Sequence, residues 1–340
     1  MAIEVYGDCR AGTSFSMAFA QLTYRHSLRD IEVCLRAQRS KLYHCGFKAP
    51  IRRSTLADAN ERRDWRIYAD FARTLIDIAR PLYADTDLGL DLEGTVYALD
   101  ATTIDLCLSV FPWATYKRAK GAIKLHTLME VHSSIPVFID ITHAKVHDIH
   151  LLDVIVPEPG SFLVMDRAYI DFARLYALHQ ALAFFVVRAK QNFQFRRRTS
   201  QTVERSSGLR SDQTVSLTGP LSRKLYPIPL RRVSYYSAQT DQSLVFLTNN
   251  FSIAPLTVAA LYRLSLANRT VLQMDQATPT NQTLLGHLTQ QCQESNLDCR
   301  GRLRAHCDHQ KEARYTAKSL YDTSGPQPNS VREKFDSLSV

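Results

Sequence analysis

The chain has 340 residues and carries 42 Lys and Arg against 33 Asp and Glu, a formal charge of +9. That length builds one large domain with an attached module, or two domains, and the basic balance favours polyanionic partners. Seven cysteines at irregular spacing argue for a reducing compartment and against a disulfide framework. No apolar run approaches the roughly 18 residues of a membrane span and the first residues lack a signal-peptide core, so the sequence reads as cytoplasmic, with no membrane partner.

Residues 1–90 read as helical. Ser27 is a candidate N-cap for a helix over 28–42 whose apolar positions 28, 31, 35 and 42 recur near helical spacing, with Gly46 as its stop. Ser54-Thr55 opens Leu56-Ala-Asp-Ala-Asn, and a second long pattern runs from Trp65 through Phe71, Leu75 and Ile78 to Pro81. Helix, basic turn, helix suits a DNA-binding head in which one helix reads a groove while Arg52, Arg53, Arg62 and Arg63 hold phosphates. An ordinary helical subdomain with solvated arginines satisfies the same pattern.

From residue 95 the period becomes that of strands. Runs at 95–109, 121–131 and 135–142 predict three neighbouring strands in a meander. A short helix from Asp148, a fourth strand closing at Asp166, a helix over 170–182 and a fifth strand over 184–188 follow. This is the order of a ribonuclease-H-like sheet, α/β and mixed, in which the first and fourth strands are neighbours. Asp100, closing the run Val96-Tyr-Ala-Leu, and Asp166, closing Phe162-Leu-Val-Met, would then meet. Two carboxylates a few ångströms apart repel, and a pair of Mg²⁺ or Mn²⁺ ions relieves that repulsion while serving phosphoryl transfer. A single Asp at a strand end reads equally as a turn residue; two at these strands favour the site.

The segments Met17-Ala-Phe-Ala-Gln-Leu-Thr-Tyr-Arg, Thr55-Leu-Ala-Asp-Ala-Asn, Leu99-Asp-Ala-Thr-Thr-Ile, Val164-Met-Asp-Arg-Ala-Tyr and Leu247-Thr-Asn-Asn resemble the IS-four family of DDE transposases. The resemblance covers residues 17 to 263. It implies a two-ion Mg²⁺ site with Asp100 and Asp166 as ligands, followed by Arg167 and Tyr169 of the family's Asp-Arg-Gly-Tyr motif. It also implies double-stranded DNA, transposon ends and target, as partner, and two copies acting on it. Ala168 replaces the motif's glycine, a departure expected to strain a tight turn.

Residues 190–250 correspond to the family's β-rich insertion within a catalytic domain of 91–263. Arg196, Arg197, Arg198, Arg231 and Arg232 could grip DNA, with Phe193, Phe195, Tyr235 and Tyr236 stacking on bases. A solvated insertion with aromatics in its own core reads equally well.

The family's third acid belongs to the pattern Tyr, two residues, Arg, three residues, Glu, six residues, Lys. Tyr262 fits the first position, but Ser265, Arg269 and Gln276 occupy the others. Legal codons for residues 264–278, read one base later, give CRWPIELFFKWIKQ, which restores the pattern in full. A one-base insertion after Arg263 follows, with 264–340 an out-of-frame, disordered tail in which roughly a third of residues are apolar. Cys292, Cys299, His306 and Cys307 have no standard zinc spacing. His126, His143, His147 and His150 read as packed or surface residues. Two functions remain: a DNA transposase impaired by the missing acid, or a non-catalytic DNA-binding remnant that recognises transposon ends.

Overall fold

The computed structural model describes residues 9–23, 25, 27–44, 47, 49–64, 66–83, 89–90, 92, 94–106, 114–117, 120–190 and 193–276. Contacts divide the chain into two units, 1–153 with 157–294, and 154–156 with 295–340. Every element below belongs to the first; of the second, the described residues are Val154, Ile155 and Val156.

Four helices open the chain: α1 (Cys9–Leu22), α2 (Leu28–Ala37), α3 (Arg39–His44) and α4 (Arg53–Arg62). Ser27 caps α2 as expected, its hydroxyl accepting from the Asp30 N–H at 3.1 Å. Met17, Ala20, Ile31, Leu35 and Leu56 close a small core between α1, α2 and α4. The predicted helix over 28–42 is broken at Gln38, which leaves helical geometry at φ −102°, ψ 21°. Leu42 of α3 still packs on the same core, so the apolar period continues across the break. α4 starts one residue before Ser54, and Arg52 offers no side-chain cap. Glu32 of α2 supplies the acceptor instead, taking the Arg53 N–H at 3.1 Å. Gly46 and Trp65 lie outside the described residues. Helix α5 (Arg66–Ala79) then runs into a 3₁₀ turn over Arg80–Tyr83.

The strands are β1 (Val96–Leu106), β2 (Thr115–Lys117), β3 (Lys120–Glu130), β4 (Ile135–His143), β5 (Phe162–Met165), β6 (Phe184–Arg188), β7 (Phe195–Gln201), β8 (Leu209–Leu217), β9 (Leu230–Ser237) and β10 (Gln242–Thr248). All ten join one mixed sheet in the order β2-β3-β1-β5-β6-β10-β9-β8-β7, with β4 on β3. The predicted meander is present as β1, β3 and β4 in antiparallel pairing. The first and fourth predicted strands are neighbours, β1 running parallel to β5. β5 in turn pairs parallel with β6. A 3₁₀ turn over Asp148–Asp153 stands where a short helix was expected, and α6 (Phe172–Gln180) connects β5 to β6. Gly94 enters β1 at φ 110°, and a Cβ there would strike the Gly160 carbonyl, so only glycine lets the starts of β1 and β5 approach so closely.

The insertion extends the main sheet rather than forming a sheet of its own. β7, β8 and β9, with the short helix α7 (Pro220–Leu225) between β8 and β9, continue outward from β10. Helix α8 (Pro255–Gln276) packs on the sheet against β1, β5, β6, β8 and β9. It runs on past Arg263, where a structureless segment was expected. Residues 264–276 contain no glycine or proline, so a helix nucleated upstream propagates through them. No helix among the described residues is long and apolar enough to cross a membrane.

Candidate active site

Parallel register sets the two carboxylates side by side. Ala98 pairs with Val164 and Leu99 with Met165, so Asp100 and Asp166 occupy the next row of strands about 4.8 Å apart. Alternation also fixes their face. Val96, Ala98, Phe162 and Val164 belong to the core cluster that includes Val258, Ala259, Leu261 and Tyr262 of α8. Asp100 and Asp166 continue those rows, so both project toward α8 while Leu99 and Met165 are buried on the opposite face.

Helix α8 reaches the pair directly. Tyr262, only 2% exposed, donates its hydroxyl to Asp166 Oδ1 at 3.4 Å. The same oxygen accepts the Arg167 N–H at 2.7 Å, so Asp166 caps the 3₁₀ turn Arg167–Tyr169. Ala168 sits in that turn without a positive φ, so the glycine-to-alanine departure introduces no strain there. The Arg167 side chain is exposed and Tyr169 is buried.

Val258, Tyr262 and Ser265 form the buried seam of α8 at spacings of four and three. Position 269 follows one helical turn after Ser265 and holds arginine in this sequence. Ser265 Oγ donates back to the Tyr262 carbonyl at 2.7 Å, which satisfies a hydroxyl that is fully buried.

Two carboxylates in one row suit a hard divalent cation, which takes oxygen ligands at about 2.0–2.6 Å. Among the described residues no group of three His, Cys, Asp or Glu is gathered that could hold a metal. Asp100 and Asp166 would supply two carboxylate ligands to such an ion.

The loop before α8 is locked by Asn249, Asn250 and Arg231. Asn249 accepts the Phe185 N–H at 2.9 Å and donates to the Ala183 carbonyl at 2.9 Å. Asn250 Oδ1 accepts the N–H groups of Ser252 and Ile253 at 2.9 and 3.0 Å. Arg231 corrects an expectation: it is 4% exposed, paired with buried Asp212 at 2.7 and 2.9 Å, and donates to the Ile253 carbonyl at 2.6 Å. A guanidinium so enclosed is unavailable to phosphate; it ties β8 and β9 to the start of α8. The sequence signal was the pair Asn249-Asn250 directly after a strand, a combination that fits a hydrogen-bonded corner.

The remaining candidate arginines form two separate groups. Arg52 and Arg53 at the start of α4 and Arg62 at its end are exposed, and Arg63 is half-buried. Arg196, Arg197 and Arg198 are exposed on the edge strand β7. Arg232 is half-buried, its guanidinium 5.1 Å from the Phe195 ring centre, and burial pushes its pKa down. Phe193 stacks on Phe195 at 5.2 Å and lies 6.2 Å from Phe172, so these rings pack on one another as well as facing solvent. His126 is buried, its Nε2 within 2.7 Å of Thr142 Oγ1. His150 is on the surface beside Asp153 and Arg174. Cys292, Cys299, His306 and Cys307 lie outside the described residues.

Sheet, acid pair and covering helix together define a mixed α/β protein with a paired-carboxylate site. The chain belongs to the transposase DDE domain family, which it matches over residues 91–264. Residues 10–48 match a domain of unknown function, DUF4372. The chain is 31% identical over 212 residues to y4zB of Sinorhizobium fredii, named as a transposase, covering 61% of this chain and 57% of that one. It is 25% identical over 198 residues to a transposase named for insertion sequence element IS5377 of Geobacillus stearothermophilus, covering 58% and 52%. It thus spans little more than half the length of these relatives. The piggyBac transposase in a synaptic complex with hairpin DNA is similar over 72% of this chain and 57% of its own, at 10% identity and a TM-score of 0.33, too loose a likeness to define the fold.

Proposed function

We propose that the chain is a DNA transposase of the IS-four type on a ribonuclease-H-like sheet, acting in the cytoplasm as a pair of copies on double-stranded DNA, and that this copy is catalytically impaired by a change of reading frame after Arg263. The observation that carries this is the acid row, Asp100 beside Asp166, facing α8, on which position 269 follows one helical turn after Ser265. Support for the break comes from the family match, which ends at 264, one residue past the point where the frame would change.

Asp100 and Asp166 would hold the Mg²⁺, which supplies charge neutralisation and Lewis acidity to phosphoryl transfer when bound. The chain's own contribution is positional. Arg167 N–H and the Tyr262 hydroxyl both hold Asp166 Oδ1, orienting the carboxylate toward the row it shares with Asp100. A glutamate at 269 would complete the set from the same helix.

A second reading is favoured by the exposed arginines of α4 and β7: a remnant that binds transposon ends without cutting them. The nucleotide sequence decides the first point. GAA must straddle the codons of Arg269 and Thr270, since every threonine codon begins with A; any other triplet removes the frame-change account. Cleavage assays on the element's terminal DNA then separate the two readings. The chain as it stands should bind but not cut, and a version carrying the alternative frame from position 264 should cut in Mg²⁺. Specific cleavage by the unaltered chain would overturn the impairment.

A further inference from the structure

We infer that helix α2 reads double-stranded DNA in the major groove through its outward face, Arg29, Val33 and Arg36, which gives the region matching a domain of unknown function the role of sequence recognition. The inference rests on the DNA-binding reading proposed above and names the element that supplies specificity.

The two faces of α2 are sharply different. Ile31 and Leu35, at 0% and 1% exposure, pack into the small core with Met17, Ala20 and Leu56. Arg29, Val33 and Arg36, at spacings of four and three, form the opposite stripe and are exposed, Val33 at 58%. Base edges in the major groove suit such a stripe: arginine forks pair with guanine O6 and N7, and a small apolar group meets the thymine methyl.

Charge distribution favours a polyanion at this face. The acids of α2 are held to its sides: Asp30 accepts from Cys34 Sγ at 3.6 Å, and Glu32 accepts both Arg36 Nη2 at 2.7 Å and the Arg53 N–H. The Arg29 side chain is exposed. Through Glu32 the start of α4 is fixed beside α2, setting exposed Arg52 and Arg53 on its flank as phosphate contacts that fix register. Ten residues make a helix about 15 Å long and 10–12 Å across, the size a major groove about 12 Å wide admits.

The test is selection by the full-length chain from a library of randomised short DNA duplexes, with affinities then measured by fluorescence anisotropy. The variants Arg29→Ala and Val33→Ala, both at exposed positions, are compared with the triple variant Arg196→Ala, Arg197→Ala, Arg198→Ala, with folding checked by circular dichroism. Expected is an enriched motif for the wild type, and loss of preference at one or two base pairs in each α2 variant, on the order of tenfold, with affinity for unselected duplex nearly kept. The β7 triple variant should instead weaken all sequences alike. A motif unchanged in both α2 variants overturns the inference and leaves DNA binding standing. A wild type that binds duplexes without enriching any motif also overturns it, and one that binds no duplex overturns the DNA-binding reading as well.

Discussion

Tyr262 and Asp166, 96 residues apart in sequence, meet where α8 lies over β5, the phenol donating to the carboxylate at 3.4 Å. The bond is long, so its hydroxyl matters less to stability than its ring, which is buried with its centre 5.0 Å from that of Phe246. Tyr262→Phe should cost about 0.5–1 kcal/mol and Tyr262→Ala about 3–5 kcal/mol in urea denaturation. Equal costs would mean that the hydroxyl, not the ring, anchors α8.

Asp100 and Asp166 in one cross-strand row should make the fold sensitive to divalent cations. Binding by the two carboxylates should be weak, of the kind that raises Tm by a few degrees at most in millimolar Mg²⁺ or Mn²⁺ at matched ionic strength. Asp100→Asn and Asp166→Asn should each abolish that rise. A rise that persists in both variants would locate the ion elsewhere.

Arg231 and Asp212 are 5% and 3% exposed at their side chains, and the pair holds the loop that launches α8. Arg231→Met should destabilise by about 3–5 kcal/mol because it leaves a carboxylate buried and unpaired. Adding Asp212→Leu should recover most of that loss in guanidinium melts. A single variant within about 1 kcal/mol of the wild type would show that Asp212 is not confined as its burial implies.

The acid pair was legible because strand ends and cross-strand rows follow from a period of two: the runs ending at Asp100 and Asp166 are apolar on both faces, as buried central strands are. Ser27 was legible for the same local reason, since a cap acts within three residues. Arg231 was not. A surface arginine and a buried one are the same letter, and what distinguishes them is Asp212, one strand over and 19 residues away. The start of α4 was not legible for a related reason: its acceptor, Glu32, lies 21 residues upstream on another helix. The break at Gln38 carries no glycine or proline, and the continuing apolar period across it hides the change of backbone.

Acid should loosen this fold through histidines that burial holds neutral, His126 fully enclosed and His179 half-buried. Burial pushes the His126 pKa below its ordinary value of 6.5, with Asp140 and Asp148 opposing, and burial lowers that of His179 as well. A depressed histidine pKa means that the unfolded chain takes up a proton the folded chain refuses. Stability from this source is therefore full above about pH 6.5 and falls as pH drops from there toward the folded pKa, by at most about 1.4 kcal/mol per pH unit for each histidine. Urea midpoints measured between neutral pH and pH 5 should decline, and His126→Leu should flatten the decline even though it loses the contact to Thr142. The same decline in that variant and in the wild type would show that His126 takes up its proton in the folded state as readily as in the unfolded one.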